Sequence, residues 1–242
     1  MIFQILQNAS FSYFERLILL AFMMLVVFGS LTIHEVAHGY ASYALGDTTA
    51  KDRGRLSLNP LSHLHPIGML CMIFCGFGWA KPVPVDPSRY KDPKKGMALT
   101  ALAGPVTNLV IGIAFTVNLA VLTWLYSTGI YKLMPVIRYM SVDVYVLVTN
   151  ILYIILYYNL LLAVFNLFPV PPLDGSRILF AFLPERQYFK VMRYETLIMI
   201  VMFFFLWTGL FTGFFETFVD LIINGVGNTV FAMLNFLARL VF

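Results

Sequence analysis

Two histidines and a glutamate near the end of an apolar stretch have the residue types and the spacing that metal chemistry requires. The chain reads His34-Glu35-Val36-Ala37-His38. On a helix, positions i and i+4 lie on one face, so His34 and His38 can bind one ion together. Glu35 follows His34 directly and can reach a water molecule held beside that ion. This is the HExxH arrangement of zinc-dependent proteases, and it predicts a zinc site.

The same residues could instead form a polar cap where a helix meets the membrane surface. Ionisable side chains within an apolar span are costly, however, and they favour a functional site. The motif also contains half of the four histidines in the chain. We therefore interpret it as a metal site.

Asp174 is the outstanding candidate for a third ligand, since a catalytic zinc usually has three protein ligands and one open position. Prolines at 169, 171 and 172 cannot continue a helix, so the backbone must open just before it. Irregular backbone at membrane depth is tolerated only where it is buried in protein or lines a cavity. Taken alone, Asp174-Gly175 would indicate an ordinary turn; its position after the opened helix favours a ligand.

Four other side chains could bind metal by type. His63 and His65 lie in a loop rich in turn residues, and we expect them to be interfacial or hydrogen-bonded histidines rather than ligands. Cys71 and Cys75 lie on a short apolar piece, and we expect them to be small packing residues.

The composition places these residues in a membrane protein. The chain has 242 residues, of which 60% are hydrophobic and 12% are charged, whereas a soluble domain has about 45–50% apolar and 25% charged residues. This argues against a water-soluble globule and excludes a disordered chain. The net charge is only +4 and no long basic run occurs, so we expect a lipid bilayer and no nucleic acid as partner.

We predict an all-α polytopic membrane protein with four to six transmembrane helices, forming a single integral-membrane domain over residues 1–242. A helix needs about 20 mostly apolar residues to cross a bilayer. The predicted spans are 14–40, 98–126, 145–168 and 196–218, with a further one at 221–241 that could instead lie along the membrane surface. Residues 67–79 are apolar but too short to cross, so we expect a re-entrant or interfacial segment between the first two spans.

The distribution of Lys and Arg predicts the orientation. Residues 41–96 and 169–195 are rich in Lys and Arg, whereas residues 127–143 hold two. Basic loops face the cytoplasm, so the N-terminus and 127–143 are expected outside. The first and third spans then both run inward, which brings Asp174 to the same side as the two histidines.

These residues match a known pattern: the chain resembles the site-2 protease family of intramembrane zinc metalloproteases, in particular the short bacterial group without a PDZ domain. The family signature is HExxH in one span and an Asn-Pro…Asp-Gly segment in a later one. Here the second segment is Asn166-Leu-Phe-Pro…Leu-Asp174-Gly175, with Leu-Phe inserted where some members have Asn-Pro directly. The resemblance covers residues 30–185, through the segments Gly54-Arg-Leu-Ser-Leu-Asn-Pro, Gly78-Trp-Ala-Lys-Pro-Val-Pro-Val and Leu102-Ala-Gly-Pro-Val-Thr-Asn108.

The resemblance implies hydrolysis of a peptide bond in or near a transmembrane helix of a membrane-protein substrate. His34, His38 and Asp174 would hold one zinc ion per chain. Glu35 would act as general base and acid. The resemblance to the bacterial group implies a bacterial inner membrane, and the distribution of Lys and Arg predicts an active site toward the cytoplasm.

Three further residues would contact substrate. The resemblance implies that Asn166 holds the substrate backbone or polarises its carbonyl, and that Gly104 and Asn108 line the cleft. For Asn108, an interhelical hydrogen bond is an equal alternative. Residues 76–85 alternate valine with proline, which is typical of an extended edge to which a substrate could add a strand, or of an ordinary proline-rich loop.

Two other classes of function compete with an intramembrane protease. A membrane metal carrier or a catalytically silent scaffold could use the same His and Asp residues, although a carrier would not need Glu35 between them. A peptidase merely anchored in the membrane would cleave water-exposed peptides. The substrate and the oligomeric state are not predicted.

Overall fold

The computed structural model describes residues 12–75, 78–135, 137–184 and 193–241. Within these ranges the regular structure is helical, and the strand-like pairing is one isolated bridge between Leu64 and Ala80. The helices are α1 (Tyr13–Ala44), α2 (Thr49–Asp52), α3 (Pro66–Cys75), α4 (Pro93–Thr128), α5 (Val142–Asn166), α6 (Asp174–Phe180), α7 (Glu195–Trp207) and α8 (Thr212–Val241). Short 3-10 turns lie at Pro60–Ser62, Pro87–Arg89 and Ile130–Leu133.

Four helices are long and apolar enough to cross a membrane, which confirms the predicted all-α polytopic class. The membrane-length segments are Arg16–Ala44, Pro93–Thr128, Val142–Leu167 and Gly213–Leu240. The first three coincide with the predicted spans at 14–40, 98–126 and 145–168.

The predicted span at 196–218 is wrong as a single helix. α7 ends at Trp207 after 13 residues, which is too short to cross a bilayer. Gly209 has φ 75°, a left-handed conformation that ends helices and that glycine adopts without strain. The membrane-length helix is α8, which contains the segment predicted at 221–241. Apolar residues continue through the break, so hydropathy alone merged α7 with the beginning of α8.

The connection between the first two spans contains a short helix. α3 has ten residues and cannot cross a bilayer by itself. After it, residues 81–86 form no regular element. Gly76 and Phe77 of the predicted extended segment lie outside the described residues, as do the N-terminal residues 1–11 and residues 185–192.

α4 is the central helix of the bundle, packed against α1, α5, α6 and α8. It begins where the Asp92 side chain accepts a hydrogen bond from the Lys95 N–H, with Pro93 in the first helical position. Leu156 and Leu160 of α5 form a buried core with Val219 of α8. Because α1, α5 and α6 all pack against α4, residues from distant parts of the chain meet along this helix.

Candidate metal centre

The two motif histidines lie one turn apart on α1 and face the interior of the bundle. His34 is 3% exposed and His38 is 9% exposed. Their rings are nearly perpendicular, with centroids 4.6 Å apart. The two Nε2 atoms lie 3.0 Å apart. The helical spacing therefore places both imidazoles at one point, as the motif predicts.

Asp174 joins them from the first residue of α6. Its Oδ2 atom lies 3.0 Å from His34 Nε2 and 3.2 Å from His38 Nε2. The chain folds back tightly to reach this position, since a Cβ on Gly175 would collide with the carbonyl oxygen of Leu167. One potential ligand atom from each of these three residues lies within 4.8 Å of the other two. Among the described residues, this is the group of three whose side chains could hold one metal ion together.

The three atoms have the spacing and the chemistry of a zinc site. Ligand atoms held at about 2.0–2.1 Å by one tetrahedral zinc ion lie about 3.3 Å from one another, close to the 3.0–3.2 Å seen here. His38 Nδ1 lies 2.7 Å from the carbonyl oxygen of Thr100. A carbonyl only accepts, so Nδ1 carries the proton and Nε2 presents its lone pair to the cluster. The residues therefore fit one zinc ion.

The carboxyl group of Asp174 is held in the form that binds metal. The pKa of an aspartate carboxyl group is ordinarily about 3.9, so the group is ionised at neutral pH. A ligand must be deprotonated to bind a cation. Asp174 meets that requirement at neutral pH.

Gly104 of α4 lies directly against the two imidazoles. A Cβ at this position would lie 2.5 Å from His38 Nε2 and 2.7 Å from His34 Cε1. The absence of a side chain therefore creates the space that the cluster occupies. The substrate contact predicted for Gly104 remains a prediction.

Asn108, one turn further along α4, contacts His34 on the side away from the cluster. Its Oδ1 lies 3.0 Å from His34 Nδ1, and its Nδ2 lies 3.1 Å from Asn159 Oδ1. Asn108 is fully buried. The structure thus gives it the interhelical hydrogen bond, and a role in contacting substrate remains a prediction. Sequence reasoning missed Asn159, although an amide inside an apolar span is itself a signal.

Behind His38, a second polar network links Thr100 to the end of α1. The Tyr90 hydroxyl lies 3.1 Å from Thr100 Oγ1 and 2.7 Å from Ser42 Oγ, which donates to Asp47 Oδ2 at 2.8 Å. Burial raises the pKa of Asp47, but hydrogen bonds from the Thr49 side chain and from backbone N–H groups outweigh it and lower the pKa to about 2. Sequence reasoning missed this network, whose members come from separate segments.

Glu35 follows His34 directly on α1, and its side chain contacts the extended segment. Its Oε2 accepts a hydrogen bond of 2.8 Å from the Val83 N–H. The segment is fixed on either side of this contact, because the Lys81 N–H donates to the carbonyl of His63 and the Asp86 N–H donates to Asp47 Oδ2. The carboxylate is thereby held in a defined orientation.

The remaining predicted residues lie apart from the cluster. Asn166 Nδ2 donates to the carbonyl of Leu162 within α5, at 2.9 Å. His63 Nε2 lies 2.7 Å from the Ser57 carbonyl oxygen. His65 Nδ1 accepts from the Gly68 N–H at 3.2 Å. Cys71 is a partly buried free thiol; the side chain of Cys75 lies outside the described atoms.

Comparison with known proteins places the chain in a family. The profile of peptidase family M50 matches residues 22–209. A protein named as a zinc metalloprotease, YwhC of Bacillus subtilis (strain 168), is 36% identical over 178 residues, covering 74% of this chain and 76% of its own length. Rip2 of Mycolicibacterium smegmatis, named likewise, is 30% identical over 89 residues, covering 35% of this chain and 34% of its own. No solved structure gives a significant match.

Proposed function

The chain belongs to peptidase family M50, and on this premise we propose that it is an intramembrane zinc metalloprotease. It hydrolyses a peptide bond in or near a transmembrane helix of a membrane-protein substrate. The observation that carries this proposal is the convergence of His34, His38 and Asp174 at a buried point between membrane-length helices. Glu35 directly follows His34 in the chain.

In this proposal His34, His38 and Asp174 hold one zinc ion per chain. When bound, zinc supplies a Lewis acid that lowers the pKa of a water molecule to about 7 and polarises a carbonyl. Glu35 takes a proton from the attacking water, whose oxygen bonds to the scissile carbonyl carbon. As the carbon–nitrogen bond breaks, Glu35 returns that proton to the leaving nitrogen.

The contact with Val83 supports this role for Glu35. One carboxylate oxygen is occupied by a backbone N–H, and within the described residues no hydrogen bond engages Oε1. A base held by one oxygen keeps its other oxygen available and oriented for proton transfer. Burial of the cluster limits competing water, which strengthens electrostatic interactions at the site.

The membrane setting supports an intramembrane substrate. A helical peptide bond in lipid is protected by its own backbone hydrogen bonds, so a substrate helix must open before cleavage. Asn166 lies where α5 ends and is a candidate to pair with the freed backbone. The connection between α1 and α4 carries many Lys and Arg residues, which supports a site toward the cytoplasmic side of a bacterial inner membrane.

Glu35→Gln tests the proposal. The membrane-protein fragments of cells carrying wild-type chain are compared with those of cells carrying Glu35→Gln, and zinc is measured in both purified proteins. Glu216→Gln is the matched control, because Glu216 is an exposed residue of α8. We expect Glu35→Gln to retain zinc and to lose cleavage by about 10²–10⁴-fold, whereas Glu216→Gln should cleave normally.

Other outcomes identify the competing functions. A fragment pattern that Glu35→Gln leaves unchanged would overturn the protease proposal. A metal carrier would still move zinc into vesicles when Glu35 is replaced by Gln. An anchored peptidase would cleave water-exposed peptides and leave transmembrane segments intact.

A further inference from the structure

A chain of buried polar side chains crosses three helices behind His34. It consists of Ser30 on α1, Asn108 on α4 and Asn159 on α5, which are 4%, 0% and 2% exposed. Asn159 Nδ2 lies 3.0 Å from Ser30 Oγ, and Asn159 Oδ1 lies 3.1 Å from Asn108 Nδ2. Amides inside membrane-length helices are costly unless they are hydrogen-bonded, and here each amide is paired across helices. Neither Asn159 nor Ser30 belongs to the metal cluster.

A backbone carbonyl determines which way round the Asn159 amide lies. Asn159 Nδ2 is 2.9 Å from the carbonyl oxygen of Ile155. A carbonyl oxygen can only accept a hydrogen bond, so the side-chain atom facing it must be the amide nitrogen. The other atom, Oδ1, is therefore an acceptor that points toward Asn108.

The orientation of Asn159 then determines that of Asn108 and the tautomer of His34. Asn108 must direct its nitrogen to Asn159 Oδ1, and the same nitrogen lies 3.5 Å from the carbonyl oxygen of Ser30. Asn108 Oδ1 is left facing His34 Nδ1 at 3.0 Å. Since this oxygen only accepts, the proton of His34 is on Nδ1. The lone pair of Nε2 consequently points toward Asp174 and His38.

The two histidines differ in how their tautomers are set. His38 donates to the backbone carbonyl of Thr100, which cannot reverse its polarity. His34 donates to a side-chain amide, which could turn by 180° and present its nitrogen instead. The hydrogen bond of 3.1 Å from Asn108 to Asn159 opposes this turn, and the longer contact of 3.5 Å with the Ser30 carbonyl oxygen adds to it.

We propose that Asn159 is a positioning residue for the metal centre, which acts through Asn108 to hold His34 in the tautomer and ring orientation that zinc requires. The inference rests on the proposed zinc site. Partners of the non-binding nitrogen of a metal-ligating histidine are known to fix its tautomer, and their loss reduces metal affinity by about 10–100-fold. Here the partner of His34 is Asn108 on α4, and Asn108 is in turn held by Asn159 on a third helix, α5.

A double-mutant cycle in zinc affinity tests the relay. Asn159→Leu, Asn108→Leu and the double variant are prepared as full chains, since leucine has the same number and branching of side-chain heavy atoms as asparagine without its hydrogen bonds. Asn150→Leu on α5 and Asn118→Leu on α4 are matched controls, because both asparagines are exposed. Zinc affinity is measured by chelator competition, and the visible spectrum of the Co²⁺-substituted protein reports the ligand arrangement.

We expect zinc affinity about 10–100-fold weaker in each single relay variant, with an altered Co²⁺ spectrum. The double variant should bind no more weakly than Asn108→Leu alone, because Asn159 acts only through Asn108. Both controls should bind as the wild type does. Asn159→Asp, which keeps an oxygen to accept from Asn108, should retain more affinity than Asn159→Leu.

Three results would overturn the inference: wild-type zinc affinity in Asn159→Leu, losses that multiply in the double variant, or Asn159→Asp no better than Asn159→Leu. If Asn159→Leu fails to fold, Ser30→Ala replaces it, because it removes only the hydroxyl that Asn159 contacts. Ser30→Ala should then weaken zinc binding in the same direction, and unchanged affinity would count against the relay. Absence of zinc binding by the wild type would instead refute the proposed function.

Discussion

Addition of one methyl group at Gly104 should displace the proposed metal ligands His34 and His38. A Cβ there would lie 2.5 Å from His38 Nε2, 2.6 Å from His38 Cε1 and 2.7 Å from His34 Cε1. Ordinary contacts of a Cβ begin at about 3.4 Å, so Gly104→Ala requires a relative shift of about 0.7–0.9 Å. Because α4 is the central packed helix, the imidazoles are expected to move rather than the backbone.

A shift of this size is large for a metal site. Metal–ligand distances tolerate about 0.2 Å, and a misplacement of about 1 Å in a catalytic group costs about 10²-fold in rate. We expect zinc affinity and cleavage in Gly104→Ala to fall by at least about 10²-fold. Overpacking costs about 1–3 kcal/mol, and the higher helix propensity of alanine offsets about 1 kcal/mol of it, so the fold should survive.

Two other glycines separate crowding of the metal site from crowding in general. A Cβ on Gly29 of α1 would meet no atom within 4 Å, whereas a Cβ on Gly112 of α4 would lie 2.5 Å from Leu160 Cδ2. Zinc content, chelator competition and thermal unfolding are measured for all three alanine variants. Gly29→Ala should match the wild type in zinc binding, and Gly112→Ala should lose stability while retaining zinc.

Wild-type zinc affinity in folded Gly104→Ala would refute this reasoning, because it would show that the histidines do not need the space that the glycine leaves. Equal loss of zinc in Gly104→Ala and Gly112→Ala would also contradict it. That result would mean that metal binding responds to bundle packing in general.

Three further predictions concern residues outside the cluster. Asn166→Ala should retain zinc but lose cleavage by about 10²–10³-fold if the amide stabilises the oxyanion; unchanged cleavage would leave Asn166 with only its bond to Leu162. The depressed pKa of Asp47, about 2 against 3.8, contributes about 2 kcal/mol of stability, which is present above about pH 4 and is lost as pH falls toward 2. The thermal stability of Asp47→Asn should therefore be lower than wild type at pH 7 and approach it at pH 3, and a pH-independent difference would contradict this. Cysteines introduced at Ser88 and Ser127, near opposite ends of α4, should react with impermeant reagents from opposite sides of the membrane in a cysteine-free background, and labelling from one side would refute the topology.

Features that depend on local spacing were accessible from the sequence. The convergence of His34 with His38 follows from the helical repeat, which brings positions i and i+4 together whatever surrounds the helix. The membrane class follows from composition and the length of apolar stretches, which do not depend on packing. Asp174 was reached by combining the proline-opened helix with the inferred orientation of two spans.

Local signals were insufficient where helices begin and end inside apolar sequence. Hydropathy merged α7 with α8, because Gly209 interrupts the helix without interrupting the apolar run. The break depends on a single backbone conformation. Averaging over a window of 20 residues therefore conceals it.

Tertiary structure alone decided which residues support the cluster. Asn159 lies far in sequence from His34, which we propose it orients through Asn108. Thr100 contacts His38 through its backbone carbonyl, a group that every residue type has and that the sequence therefore cannot indicate. The space left by Gly104 exists only because α4 packs against α1 at that level. Residue types and spacing thus determined the chemistry that the chain can perform, since ligand type and helical periodicity are local properties. The partners that orient those ligands depend on how separate helices pack, because hydrogen bonds and close contacts between helices have no fixed separation along the chain.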